Sequence, residues 1–199
     1  DPLYIIFALP GLLLGLGAQL FLWYAYGRYS KVRAGSGLTG MQAAELLNTN
    51  ENFGVSFMTT PGKLNDHFNP SSHTVNLSSD NAVNSSIANI AVVAHEFGHV
   101  QQKTQASALF AFRNFLVPTV NIGSTVGYLF ILIGIGISAT GLAWLGVALF
   151  SLTTVFSLLT LPIELDASRR GLNLIKEHNL IAAEQMGGAR TVLTAAALT

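Results

Sequence analysis

His95-Glu96-Phe97-Gly98-His99 reads HExxH. On a helix, residues four apart lie about 40° apart around the axis, so the two imidazoles point the same way. Neutral imidazole nitrogen suits a borderline-soft divalent ion, zinc first, with manganese or iron as alternatives. Glu96 stands beside them as the base that takes a proton from water activated by such an ion. The competing reading is a helix whose histidines merely cap or pack.

A hydrolytic zinc needs a third protein ligand and an open position. No HExxHxxGxxH pattern follows, and the next histidine is His178. The carboxylates after His99 are Glu164, Asp166, Glu177 and Glu184. Glu164 stands out as the first charge after residues 114–163, a run of 50 uncharged residues. The alternative is a carboxylate that simply ends a membrane span.

These residues need elements to hold them. Residues 86–103 form the helix carrying the motif, with Ile87, Ile90, Ala91, Ala94 and Gly98 on one packed face. Thr39 and Gln42 form a capping box that starts a short helix over 40–48. Phe53 to Phe68 reads as strands broken at Pro61-Gly62. His73 to Ser78 alternates polar and apolar, a half-buried strand and a candidate sheet edge on which an extended polypeptide could add by main-chain bonds. Asp80 to Ser86 reads as a polar loop. Residues 164–199 read as helix, broken at Gly187-Gly188 and resuming over 190–199.

Composition fixes the setting. The chain has 199 residues, 50% hydrophobic and only 10% charged, where a soluble domain carries roughly 25%. Ten basic and ten acidic side chains cancel, which argues against a nucleic-acid partner. Cysteine is absent, which excludes disulfides, thiolate zinc ligands and a thiol nucleophile. Residues 1–26 and 114–163 together hold one charge, Asp1, at the expected outer end. Within the first stretch Leu3 to Tyr24 is nearly all apolar and spans about 33 Å as a helix, enough for a bilayer core. The second is too long for one crossing and divides at Ser138-Ala139-Thr140-Gly141 into spans over 117–138 and 142–162. Arg28, Lys31, Arg33, Lys103, Arg113, Arg169, Arg170 and Lys176 all flank the same side, which places the polar parts in the cytoplasm.

The segments LTGMQAAELL, LNDHFNP, TVNLSS, VVAHEFGH, NFLVPTVNIGS and LPIELDASRR, with the N-terminal span and final AAALT, resemble the YugP-type neutral zinc metallopeptidases of bacterial membranes. The resemblance covers essentially the whole chain. More remotely, these are similar to the HtpX-like and CAAX prenyl protease membrane zinc peptidases. It implies an HExxH helix facing the cytosol, Glu164 as third zinc ligand beyond a transmembrane hairpin, and a further span after Thr199. The remote relatives carry Glu-x-x-x-Asp, whose Asp braces a zinc-bound histidine. Here Ser168 stands four residues after Glu164, a weaker hydrogen-bonding partner. Asp166 does not share Glu164's helical face and is placed to pair with Arg170.

Asp66-His67 has two readings: an oxyanion-stabilising or supporting histidine near the zinc, or turn chemistry in which Asp66 bonds its own backbone. Gly11/Gly15 and Gly123/Gly127 are GxxxG pairs that pack the chain's own spans or offer a contact to a second copy or another membrane protein.

The expected architecture is an α-helical membrane protein with a small α+β zincin-like domain and at least three transmembrane helices. Residues 1–26 form the first, 27–113 the zincin-like domain, 114–163 the hairpin, and 164–199 a helical segment that completes the zinc domain. The expected function is a zinc metalloendopeptidase of the bacterial cytoplasmic membrane, multi-pass, with one Zn2+ per chain. His95, His99 and Glu164 bind the metal, Glu96 is catalytic, His67 is a secondary catalytic candidate, and Ser168 and Asp166 are supporting groups. Its partners are the lipid bilayer and a polypeptide substrate. The competing function is a non-catalytic scaffold or chaperone-like protein with a structural zinc. An intramembrane protease of the site-2 type is disfavoured because no Asp-Gly occurs and the HExxH helix carries Asn89, Gln101, Gln102 and Lys103.

Overall fold

A computed structural model describes residues 2–199, with side chains from Leu13 onward. The expectations for Asp1, and for packing at Gly11, lie outside the described residues. The element order is α1 (Pro2–Tyr29), α2 (Gly40–Asn50), β1 (Ser56–Thr60), β2 (His67–Asn69), β3 (Thr74–Ser78), α3 (Ser79–Val83), α4 (Ile87–Thr104), α5 (Ala108–Gly136), α6 (Thr140–Glu177) and α7 (Met186–Ala197). The chain is mostly helical, with one small sheet. It divides into two compact units: the chain up to Ala106 together with Glu164–Thr199, and Ser107–Ile163.

In the first unit α4 is the centre. Ser86 caps it, and the Ser86 and Asn89 side chains form a capping box, so the start is fixed by local chemistry. Nearly every side chain from Ile87 to Val100 is buried, which removes this helix from water on all faces. Phe97, inside the HExxH motif, packs its ring against Phe53 and Phe57, with centroids 5.8 and 6.4 Å away. This seats the helix on the sheet side. Thr39 and Gln42 form the expected capping box on α2, and Ala43, Ala44 and Leu47 bury its inner face. Leu22, Ala25 and Tyr26 are the buried stripe of α1, which packs on α7 and α4, while Leu20, Trp23 and Tyr24 face outward.

The sheet order is β1-β3-β2, with β1 parallel and β2 antiparallel to β3. Phe57 and Phe68 both pair with Val75 across the central strand. The strand at 74–78 is therefore no edge. All five of its residues are buried, including Thr74, Asn76 and Ser78. These polar side chains are small and are covered; Ser78, for example, gives both its N–H and its hydroxyl to Asp66 at 2.8 Å.

Two further expectations change. The segment after β3 is one short helix, α3, rather than a loop. The break in the C-terminal segment falls after Glu177, where Asn179 takes φ of 51°. Gly187 and Gly188 lie inside the first turn of α7. Gly188 is needed for approach, since a Cβ there would sit 2.7 Å from the Tyr29 ring.

The second unit is a helical hairpin made by α5 and the first part of α6. Glycine lets the backbones meet: a Cβ on Gly127 would lie 2.9 Å from the Gly146 carbonyl oxygen, and one on Gly134 would lie 2.5 Å from the Ala143 nitrogen. Gly15 and Gly123 have open space at the corresponding position. The helices turn through Ile137 to Ala139, with Ser138 at φ of 55°. Among the described residues, two helices, α5 and α6, are long and apolar enough to cross a membrane. Leu129, Leu132, Ile133, Leu152, Leu158 and Leu159 point away from the protein.

Candidate metal centre

His95 and His99 sit one turn apart on α4 with Glu96 next to the first, each only 7% exposed. The two imidazole rings meet edge to face, with centroids 4.9 Å apart. Glu164 reaches them from α6. Its reach depends on two glycines: a Cβ on Gly98 would collide with the Ala167 carbonyl oxygen, and one on Gly171 would lie 2.7 Å from the Ala94 carbonyl oxygen. With no side chains between them there, the backbones of α4 and α6 approach closely enough for a short carboxylate to arrive.

Glu164 Oε2 lies 3.3 Å from His95 Nε2 and 3.1 Å from His99 Nε2. The three donors all lie within 4.8 Å of one another. Tetrahedral zinc with bonds of about 2.0–2.1 Å separates its ligand atoms by about 3.3 Å. The spacing and the donor chemistry, two imidazoles and one carboxylate, therefore fit zinc. Burial opposes ionisation of Glu164, but hydrogen bonds from His95 and His99 and their charge outweigh it, holding its carboxyl well below the usual carboxylate range. Burial likewise disfavours the charged form of His99, yet the Glu164 and Glu96 carboxylates and Gln102 push its value up.

The far side of each ring is also bonded. Ser168 Oγ donates to the Leu193 carbonyl at 2.7 Å and lies 2.9 Å from His95 Nδ1. Its proton being committed, the hydroxyl accepts from His95 Nδ1–H, which leaves the Nε2 lone pair for a metal. His99 Nδ1 lies 3.0 Å from Gln102 Oε1. Glu96 Oε2 accepts the backbone N–H of Phe68 at 2.8 Å. Asp166 pairs with Arg170, whose Nε is 2.6 Å from Oδ2, and also accepts from Gln102 Nε2 at 2.8 Å.

Residues 4–199 match the family described as "Putative neutral zinc metallopeptidase". The chain belongs to this zinc metallopeptidase family. It is also similar to the "Putative membrane protease YugP" of Bacillus subtilis (strain 168), 35% identical over 198 residues, which are 99% of this chain and 88% of that one. No solved structure matches it.

Other candidate residues of this metallopeptidase-family chain lie apart from the donor set. His67 is exposed on β2, with Nδ1 against the Asn65 carbonyl at 2.9 Å. Asp66 is not spent on its own turn alone: besides Ser78 it accepts from Asn81, and so ties the β2 approach to β3 and α3. Arg170 is engaged by Asp166, Gln101 and Gln105. A second group of donors, Glu51, Glu177 and His178, also lies within 4.8 Å. There His178 Nε2 is already 2.8 Å from Glu51 and Nδ1 3.3 Å from Asn50, and Glu177 is exposed.

Gln102 and Gly171 adjoin the donor set although motif spacing does not name them, while Gly98, read from the sequence as a packing residue, is where α4 meets α6. Gln102 carries a legible signal, since it follows His99 by three residues and shares its helical face.

Proposed function

We propose that the chain is a membrane-bound, zinc-dependent endopeptidase that hydrolyses polypeptides. The observation that carries this is Glu164 Oε2 set between two imidazole Nε2 atoms at 3.3 and 3.1 Å, with Glu96 one residue from the first of them. The family description and the relative's printed name support it.

Zinc bound at this site supplies Lewis acidity, polarising a scissile carbonyl and acidifying water. His95, His99 and Glu164 are the residues that would hold it. Glu96 takes the proton of the attacking water and delivers it to the leaving amine. The Phe68 N–H fixes one oxygen of that carboxylate, which leaves the other to move the proton. Ser168 and Gln102 keep both histidines presenting Nε2.

The spans are α1, α5 and the first part of α6, in a bacterial cytoplasmic membrane, with the site on the cytoplasmic side. The regions 1–26, 27–113, 114–163 and 164–199 then serve as first span, catalytic domain, hairpin and third-ligand segment.

The test is hydrolysis of an unfolded casein-like substrate by zinc-loaded full-length protein and by Glu96→Gln. Loss of a general base costs about 100- to 10,000-fold. Equal, negligible cleavage by both proteins, with stoichiometric zinc bound, replaces this reading with a zinc-containing scaffold.

A further inference from the structure

We propose that Gln102 is a positioning residue that links His99 to the charge of Asp166. This rests on the metal-site reading given above.

Asp166 is ionised beside Arg170 and can only accept hydrogen bonds, so the Gln102 group 2.8 Å away must be its NH2. The other end of the amide is then a carbonyl oxygen, 3.0 Å from His99 Nδ1. An oxygen there requires Nδ1 to carry the hydrogen. His99 consequently presents its Nε2 lone pair to the metal position. A flipped amide would set a carbonyl against a carboxylate and an NH2 against Nδ1–H, two repulsions in place of two bonds. Gln102 is only 1% exposed, so the amide itself is shielded from bulk water.

The far end is anchored too. Arg170 Nε donates to Asp166, and its Nη1 donates to Gln101 at 3.3 Å and Gln105 at 2.5 Å. The series His99, Gln102, Asp166, Arg170, Gln101 therefore leaves α4, crosses to α6 and returns to α4. The two histidines receive different support. His95 is oriented by a hydroxyl that ends on a neutral carbonyl, and His99 by an amide polarised by a carboxylate. The carboxylate support for His99 is present, moved back by the length of one amide. Its effect is to make His99 the stronger donor of the pair.

The experiment measures zinc affinity of the full-length protein in detergent micelles by competition with a chromophoric chelator. It is repeated with cobalt, whose visible spectrum reports ligand geometry. Gln102→Leu and Asp166→Asn are each expected to weaken zinc binding about 10- to 100-fold. Acting in series, they are expected to cost together no more than the larger single loss. At saturating cobalt each variant is expected to give the wild-type visible spectrum and to unfold cooperatively on heating, because the ligand set itself is untouched; this separates weakened positioning from simple misfolding. Additive single losses, unchanged affinity in Gln102→Leu, or a cobalt spectrum that stays altered at saturation would overturn it. His95→Ala and Glu164→Ala are the reference arm. If they lose zinc while the Gln102 variants do not, the linkage alone is wrong; if they too bind normally, the metal-site reading fails and the linkage with it.

Discussion

The backbone N–H of Phe68 donates to Glu96 Oε2 at 2.8 Å. The carboxylate of the HExxH helix is thus held by main chain on β2, an outer strand of the sheet. Phe68 is itself fixed, with its ring buried edge-on to His73 and the Lys103 ammonium 5.7 Å above it. A glutamine at 96 retains an oxygen for the same N–H, whereas alanine leaves that buried donor without it. Glu96→Gln is therefore expected to unfold near the wild-type temperature, and Glu96→Ala to be less stable by about 1–3 kcal/mol. Thermal unfolding of the metal-free proteins decides this; equal stabilities would show that the bond contributes nothing.

Glu164→Ala removes the carboxylate that lies against both imidazoles. Zinc affinity is expected to fall by at least about 100-fold, because two imidazoles alone leave the ion half-coordinated. Chelator competition measures it, and an unchanged affinity would assign the third ligand elsewhere.

Gly98→Ala tests the close crossing of α4 and α6. The added methyl meets the Ala167 carbonyl oxygen and has no flexible neighbour to displace. The helices must separate, at a cost of about 1–3 kcal/mol. Zinc binding is expected to weaken as well, although residue 98 offers no ligand. A variant that binds zinc normally would show that the site tolerates the shift.

Asp166 sets a pH dependence. Partial burial opposes its ionisation, but hydrogen bonds from Gln102 and Arg170 and the charges of Arg170 and Arg169 hold its carboxyl below the usual range. A depressed folded value adds stability above the ordinary aspartate value near 4, lost as pH falls through the folded value. Asp166→Asn is expected to be less stable than wild type at pH 7, with the gap closing as pH falls from about 4 downward. Because Asp166 is partly exposed, the gap is small, and added salt reduces it. A difference constant with pH would contradict this origin.

Membrane orientation is testable with single cysteines, since the chain has none of its own. Thr140→Cys, at the hairpin turn, is expected to react with an impermeant maleimide from outside the cell. Glu45→Cys, exposed on α2, is expected to react only after permeabilisation. Labelling of both from one side would overturn the orientation.

Much of the site is legible in the sequence because helix chemistry is local. The Ser86 and Thr39 caps and the HExxH spacing each lie within one turn. The role of β3 was harder to read. Its polar residues suggest a wet face, yet Thr74, Asn76 and Ser78 are small enough to be covered, and Asp66 reaches Ser78 from twelve residues away. Gly187-Gly188 looks like a break because glycine disfavours helices, but Gly188 serves contact with Tyr29. Asp166 is readable as Arg170's partner at helical spacing, while its bond to Gln102 joins residues 64 apart and leaves no periodic trace.

The first unit is assembled from two stretches of chain with the hairpin between them. His99 and Glu164 are 65 residues apart, and His95 and Ser168 are 73 apart. Synthesis runs from the N-terminus, so a nascent chain that has reached Ile163 already holds both imidazoles and Glu96 but lacks Glu164, Asp166 and Ser168. Its apolar hairpin is complete before its donor set is. The two imidazoles and Glu96 are thus made first, the apolar hairpin next and Glu164, Asp166 and Ser168 last, so no chain that stops within the hairpin carries the full donor set.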